Sequence, residues 1–339
     1  MLIINRINWY LALLLLVFSA GLLSTCTINE TIPLPSTPTP SLTIFPTFTI
    51  PIQSTSTLEP LVSATFISTT AFPDIATPTF TVVVYPSATP TFDNQSWRVM
   101  PIIPGVSQTI KEIFAHGQEL GNNPQAFSKI GDCETAAQWF LGDYDLKPDQ
   151  YSLGSYSYLQ AVIQQFSGSF NRISQAARIG FNAASVLNPI WADPKQCHSD
   201  ENPLECEYRI VHPAFAFILL GTNDVYHVDS FESNLKKIIE FSIQQGVIPI
   251  LATKASNLEG EHSINITITR LAYEYDIPLW NFWLAVQPLP NGGLQADNEH
   301  LTWNPNFFDN PYNMKAGWTV RNLTALEALL AIWQGVTSH

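Results

Sequence analysis

The C-terminal part of the chain reads as an α/β protein, a parallel sheet covered by helices on both faces. Two observations predict it. Residues 214–220 and 247–253 are continuous apolar runs of strand length, the pattern of strands buried on both faces. These runs alternate with amphipathic stretches of helical period, and strand–helix alternation implies parallel strands joined by crossovers.

In order, residues 127–130 form a short strand that stops at Gly131-Asp132, and residues 134–141 read as a helix. The run 214–220 ends at Gly221. Residues 231–245 have helical period, with Leu235, Ile238, Ile239 and Ser242 on one side and Gly246 as a stop. The strand 247–253 follows, then a helix over 263–275, a strand over 277–281 and a closing helix over 313–333. Functional residues on such sheets lie beyond the carboxyl ends of the strands. The chemistry is therefore expected on the loops after Ile130, after Leu220 and after the last strand.

This domain, residues 96–339, follows two segments of different character. Residues 1–26 read as a lipoprotein-type signal peptide: Arg6 is the charged region, residues 9–23 are an apolar run short for a spanning helix, and Leu23-Ser24-Thr25-Cys26 resembles a lipobox. Cys26 is the expected lipid attachment site. Thr25 departs from the usual Gly or Ala, and the competing readings are an uncleaved anchor or simple secretion. Each puts the remainder outside the cytoplasm, and the first makes the protein a membrane-anchored lipoprotein on a bacterial cell surface.

Residues 27–95 are a Thr/Ser/Pro-rich stalk with almost no charge, an extended spacer whose hydroxyls suit glycosylation. Within it, residues 80–85 have strand character. Of 15 Lys+Arg and 28 Asp+Glu in the chain, only Arg6, Glu30, Glu59, Asp74 and Asp93 precede residue 96. The domain is thus acidic, which excludes a nucleic-acid role because repulsion replaces counterion release.

Four cysteines are present. Cys197 and Cys206 flank a short polar insert, and outside the cell a disulfide closing that loop is the natural reading. A metal site with His198 competes but lacks a fourth ligand nearby. Cys133 is then left over, either a buried inert thiol or one kept for its chemistry.

The expected loops carry Gly131-Asp132-Cys133-Glu134, Gly221-Thr222-Asn223-Asp224 and Asp297-Asn298-Glu299-His300. Each is weak alone; Gly-Thr-Asn-Asp is a good turn with no function required. Together, in this order, they resemble the SGNH (GDSL-type) hydrolases over about residues 127–335. That family has Gly-Asp-Ser, Gly-x-Asn-Asp and Asp-x-x-His blocks. The resemblance implies a three-layer α/β/α flavodoxin-like sheet, the SGNH hydrolase fold, and ester chemistry with no cofactor and no metal. It assigns Cys133 as nucleophile, His300 as the base that takes its proton and Asp297 as the carboxylate that orients the ring. Asn223 and the backbone N–H of Cys133 become oxyanion donors, with a third from Gly180 or Ala183.

The departure is Cys133, where the family has serine. Three readings stay open: a working thiolate, a site that binds without turnover, or a structural thiol. The first gives an extracytoplasmic ester hydrolase or acyl transferase acting on an acylated carbohydrate or another ester. The second gives a carbohydrate-binding surface module. Trp139, Tyr144, Trp191 and Trp303 are available to line a sugar cleft.

Overall fold

The computed structural model describes residues 92–338, apart from 137 and 147. The signal peptide, Cys26, the stalk and the strand expected over 80–85 lie outside the described residues. The sheet has four parallel strands, β1 (Asn123–Gly131), β3 (Pro213–Leu219), β4 (Ile248–Ala252) and β5 (Leu279–Trp280), in the order β1-β3-β4-β5. At the free edge of β1 a single parallel bridge joins Gly131 to Ala177. A separate two-stranded parallel piece pairs β2 (Tyr151–Ser152) with β6 (Asn306–Phe307). The α/β class and parallel sheet expected from the sequence are what the structure shows.

Every residue of β3 is buried, so its two faces both meet apolar neighbours. Successive side chains alternate between faces. Phe215 and Phe217 share one of them with Phe127 of the neighbouring strand, which meets Phe217 at 5.6 Å between ring centres. Helix α1 (Gln108–Glu119) packs there through Phe114, 5.8 Å from Phe215. The long closing helix α10 (Gly317–Thr337) adds Trp333 against Phe166 at 6.2 Å. The other layer holds α6 (Pro203–Val211), α7 (Val228–Gln244) and α8 (Ser263–Glu274). The Tyr208 hydroxyl and Ser242 share a hydrogen bond of 2.8 Å between α6 and α7, and Arg270 of α8 pairs with Glu232 of α7 at 2.6 Å.

Two elements depart from expectation. The helix expected over 134–141 is only one turn, α2 (Cys133–Ala136). Leu141 has φ +64° and its N–H donates to Asn322 Oδ1 at 3.0 Å. A left-handed residue cannot continue a helix, and the bond to α10 takes the chain elsewhere. The closing helix starts at Gly317 rather than 313, because Asn313–Lys315 form a 3₁₀ turn first. The remaining helices are the short α3 (Asp143–Leu146), α4 (Gln160–Gln165), α5 (Ala183–Val186) and α9 (Phe282–Val286). Among the described residues no helix is long and apolar enough to cross a membrane.

Candidate active site

Gly131 at the end of β1 pairs in register with Leu219 at the end of β3. Adjacent parallel strands thus deliver residues 132–134 and 221–224 to the same edge. Gly131 is required by close approach: a Cβ there would lie 2.4 Å from the Leu219 carbonyl and 2.4 Å from Thr135 Oγ1. Asp132 is buried, and its Oδ1 accepts the Glu134 N–H at 3.0 Å. Cys133 opens α2 and is 7% exposed.

The sequence reading that leaves Cys133 without a disulfide is corrected. Cys133 is disulfide-bonded in this structure and its partner lies outside the described residues. Disulfides follow spatial approach of Cα atoms, which the spacing of cysteines in the chain does not reveal. The expected Cys197–Cys206 bridge is formed, with Cα atoms 5.2 Å apart. Glu201 lies beside those sulfurs, but it pairs with Arg209, and sulfurs joined to each other are not thiolate ligands.

The second loop is a 3₁₀ turn, Asn223–Tyr226. The Asn223 side-chain amide donates to the Phe181 carbonyl at 2.9 Å, which uses one of its two N–H bonds. The Ala183 N–H donates to Asp224 Oδ1 at 3.0 Å. These two bonds tie 181–183 to 223–224 and commit the Ala183 N–H, the alternative to Gly180 as oxyanion donor. Gly180 has φ +84° in an exposed turn closed by Phe181 N–H to the Arg178 carbonyl at 3.0 Å. That conformation favours glycine. Asp224 Oδ2 is buried with no hydrogen-bond partner among the described residues. Burial raises the Asp224 acid to about 6, against the pull of the Ala183 N–H.

The third loop carries Asp297 and His300. Asp297 Oδ2 lies 2.7 Å from His300 Nδ1. Asp297 Oδ1 accepts the backbone N–H of Glu299 at 3.0 Å and of His300 at 3.1 Å. Three residues of spacing suffice for the carboxylate to meet both the ring and its backbone. Burial pushes the Asp297 acid up, but the His300 ring and the two N–H groups outweigh it and leave the carboxyl below its usual value. For His300 burial favours the neutral ring, and Asp297, Glu299 and Glu134 outweigh it, so its pKa is raised.

Glu134 connects the first loop to the third. Its Oε1 accepts the Leu301 N–H at 3.1 Å and its Oε2 accepts from Arg321 Nη1 at 3.1 Å. Burial raises the Glu134 acid to about 7 in spite of the guanidinium. Beneath lies a cavity of about 10 Å³, lined in part by Asp132, Glu134, Thr222, Lys254 and Arg321, roomy enough for about one water. Burial raises Asp132 and lowers Lys254 and Arg321. Lys254 is also held by Glu259 at 2.5 Å.

The structure thus places Cys133, Asn223, Gly180 and the Asp297–His300 pair on four loops, tied to one another by the Asn223–Phe181, Ala183–Asp224 and Glu134–Leu301 bonds. Lys254 and Arg321 escaped the sequence reading as members of this edge, and Glu134 was read there without its bonds to Leu301 and Arg321. An arginine within the apolar run of α10 was the available signal, because buried charges are paired. Of the four aromatic residues considered for a sugar cleft, Tyr144 is buried in the core and Trp139 packs on Trp318 at 6.3 Å. Trp191 and Trp303 are 48% and 54% exposed.

No family model and no curated protein matches the chain. Solved structures do. The chain is similar to an acetylxylan esterase from Geobacillus stearothermophilus, at 14% identity over 60% of this chain and 93% of that one, TM-score 0.38. It is similar to a psychrotrophic esterase from Pseudoalteromonas sp., at 16% identity over 58% and 93%, TM-score 0.36. A GDSL-like lipase from Bacteroides thetaiotaomicron matches at 14% identity over 65% and 98%, TM-score 0.35.

Proposed function

We propose that the protein is an extracytoplasmic ester hydrolase or acyl transferase in which reduced Cys133 is the nucleophile, His300 the general base and Asp297 its orienting carboxylate. The observation that carries this reading is the Asp297–His300 pair beside the strand end that bears Cys133. A carboxylate on Nδ1 holds the ring proton there, assigns proton transfer to Nε2, fixes the ring and stabilises the imidazolium.

The chemistry needs the thiol, so the disulfide at Cys133 must first be opened by an external dithiol reductant, which gives up two electrons and leaves as its own disulfide. The Cys133 proton then passes to His300 and the thiolate attacks the ester carbonyl carbon. The carbon–oxygen bond to the alcohol breaks, and the departing oxygen takes the proton from the imidazolium. Water or an acceptor hydroxyl attacks the thioester by the same route, releasing the acid or new ester and restoring the thiol. The second N–H of Asn223, the Cys133 backbone N–H and Gly180 are the oxyanion donors of this reading. Exposed Trp191 and Trp303 support an acylated glycan as substrate. With the disulfide at Cys133 open, a lipid on the Cys26 sulfur and the stalk would hold the domain off a bacterial membrane.

The test is p-nitrophenyl acetate turnover by the full-length protein, before and after reduction with a phosphine that is then removed. Turnover that appears on reduction and is abolished by Cys133→Ala is the expected result. A reduced wild type that stays inert while Cys133→Ser hydrolyses the ester overturns it in favour of a binding module on a hydrolase scaffold.

A further inference from the structure

The turn that bears Cys133 and the loop that bears His300 are far apart in the chain. Glu134 bridges them through both of its oxygens, one on the Leu301 N–H and one on Arg321. We propose that Glu134 is a positioning residue that sets the place and charge of His300 relative to Cys133. This rests on the reading of His300 as the general base.

The bridge is held firmly on each side. Arg321 is 5% exposed, and its guanidinium lies 5.1 Å from the rings of Phe140 and Phe282 and 5.5 Å from that of Trp318. Such a cation has little freedom to reorient, so the carboxylate it meets is fixed too. Leu301 is 1% exposed, and it bridges to Leu294 across its own loop. The Gln295 N–H meets the His300 carbonyl at 2.7 Å, and the Gln295 amide meets the Leu301 carbonyl at 3.0 Å. The histidine loop is thereby anchored from behind by its own chain and from the sheet side by Glu134. A shift of the Leu301 backbone moves the His300 ring with it. Displacements of about 1 Å cost up to about 10²-fold in rate.

The groups electrostatically coupled to Glu134 are Asp132 on its own turn, Arg321 on α10, His300 on the third loop and Lys254 beyond β4. Its charge favours the imidazolium of His300. Glu134→Gln keeps an acceptor for the Leu301 N–H and removes the charge. Glu134→Asp keeps the charge opposite Arg321 and shortens the reach to Leu301.

The experiment follows the His300 ring by NMR across pH in the full-length protein, alongside kcat and KM for p-nitrophenyl acetate after reduction. Glu134→Gln is expected to lower the His300 midpoint. Glu134→Asp is expected to leave that midpoint near wild type while kcat falls about tenfold or more and KM stays within about twofold. A purely structural role would lower stability in either variant and leave the His300 midpoint and kcat of the folded protein as in wild type, which overturns the proposal. If Glu134→Gln does not fold, an unchanged kcat in Glu134→Asp overturns it alone. If the reduced wild type has no turnover, the esterase reading fails, and an unchanged His300 midpoint in Glu134→Gln then overturns the positioning role separately.

Discussion

His300 and Asp297 meet at 2.7 Å across three residues of chain, and each changes the other's titration. His300 has a raised pKa, so its contribution to stability is full below about pH 6.5 and is lost as pH rises through the folded value. Asp297 has a lowered pKa, so its contribution is present above about pH 3.9 and is lost as pH falls through the folded value. Asp297 is 45% exposed at its side chain, so solvent screens the pair and its main effect is on chemistry. Asp297→Asn should lower the His300 midpoint, read by NMR, with little change in melting temperature. His300→Ala should reduce kcat of the reduced enzyme by about 10²–10⁴-fold. Asn223→Ala should cost about 10²–10³-fold, and it also frees the Phe181 carbonyl.

Strands and loops are the scale at which the site is assembled. The buried run 213–219 is central because both of its faces are apolar, and its register with β1 aligns Leu219 with Gly131. Phe217 is fully buried among Phe127, Phe140 and Trp280. Phe217→Ala should therefore cost about 3–5 kcal/mol in urea unfolding. The Cys197–Cys206 bridge acts on a different element, pinning the loop that leads into α6 to Cys206 within that helix. Replacing both cysteines by serine should cost about 2–3 kcal/mol by loop entropy, with kcat of the reduced enzyme unchanged. A loss of activity in that variant would show that the insert shapes the site. The four strands of the main sheet were legible in the sequence to within a few residues, the central two because strands buried on both faces are continuous apolar runs, whereas the two-residue β2 and β6 carry no such signal. Helix α2 was not legible, because Leu141 bends away to meet Asn322 of α10, a contact outside any local window.

Across the whole molecule, burial leaves several acids under the sheet edge reluctant to ionise. Glu134 is raised to about 7 and Asp224 to about 6. Between about pH 4 and those values the folded state binds more protons than the unfolded one, so these acids lower stability as pH rises. Lys129, lowered to about 8 chiefly by burial, acts oppositely between about pH 8 and 10.4. The melting temperature should thus contain a falling component from pH 5 to 7.5. Asp224→Asn keeps the shape and should flatten that fall; an unaltered slope would show that Asp224 ionises in the folded state as it does in the unfolded one.

The sequence by itself determined the alternation of strands and helices, the three loops that carry the candidate residues, the Cys197–Cys206 bridge and the Asp297–His300 pair. All of these depend on apolar period, on turn residues or on groups a few positions apart, and such signals are local. Only the tertiary structure decided that Cys133 is disulfide-bonded, that the Ala183 N–H is taken by Asp224 across 41 residues, and that Glu134 reaches Leu301 across 167. It also decided that Tyr144 is a core residue. Those outcomes depend on which loops the packed sheet brings side by side, and burial then pairs whatever polar groups are left there, because an unpaired buried charge is costly.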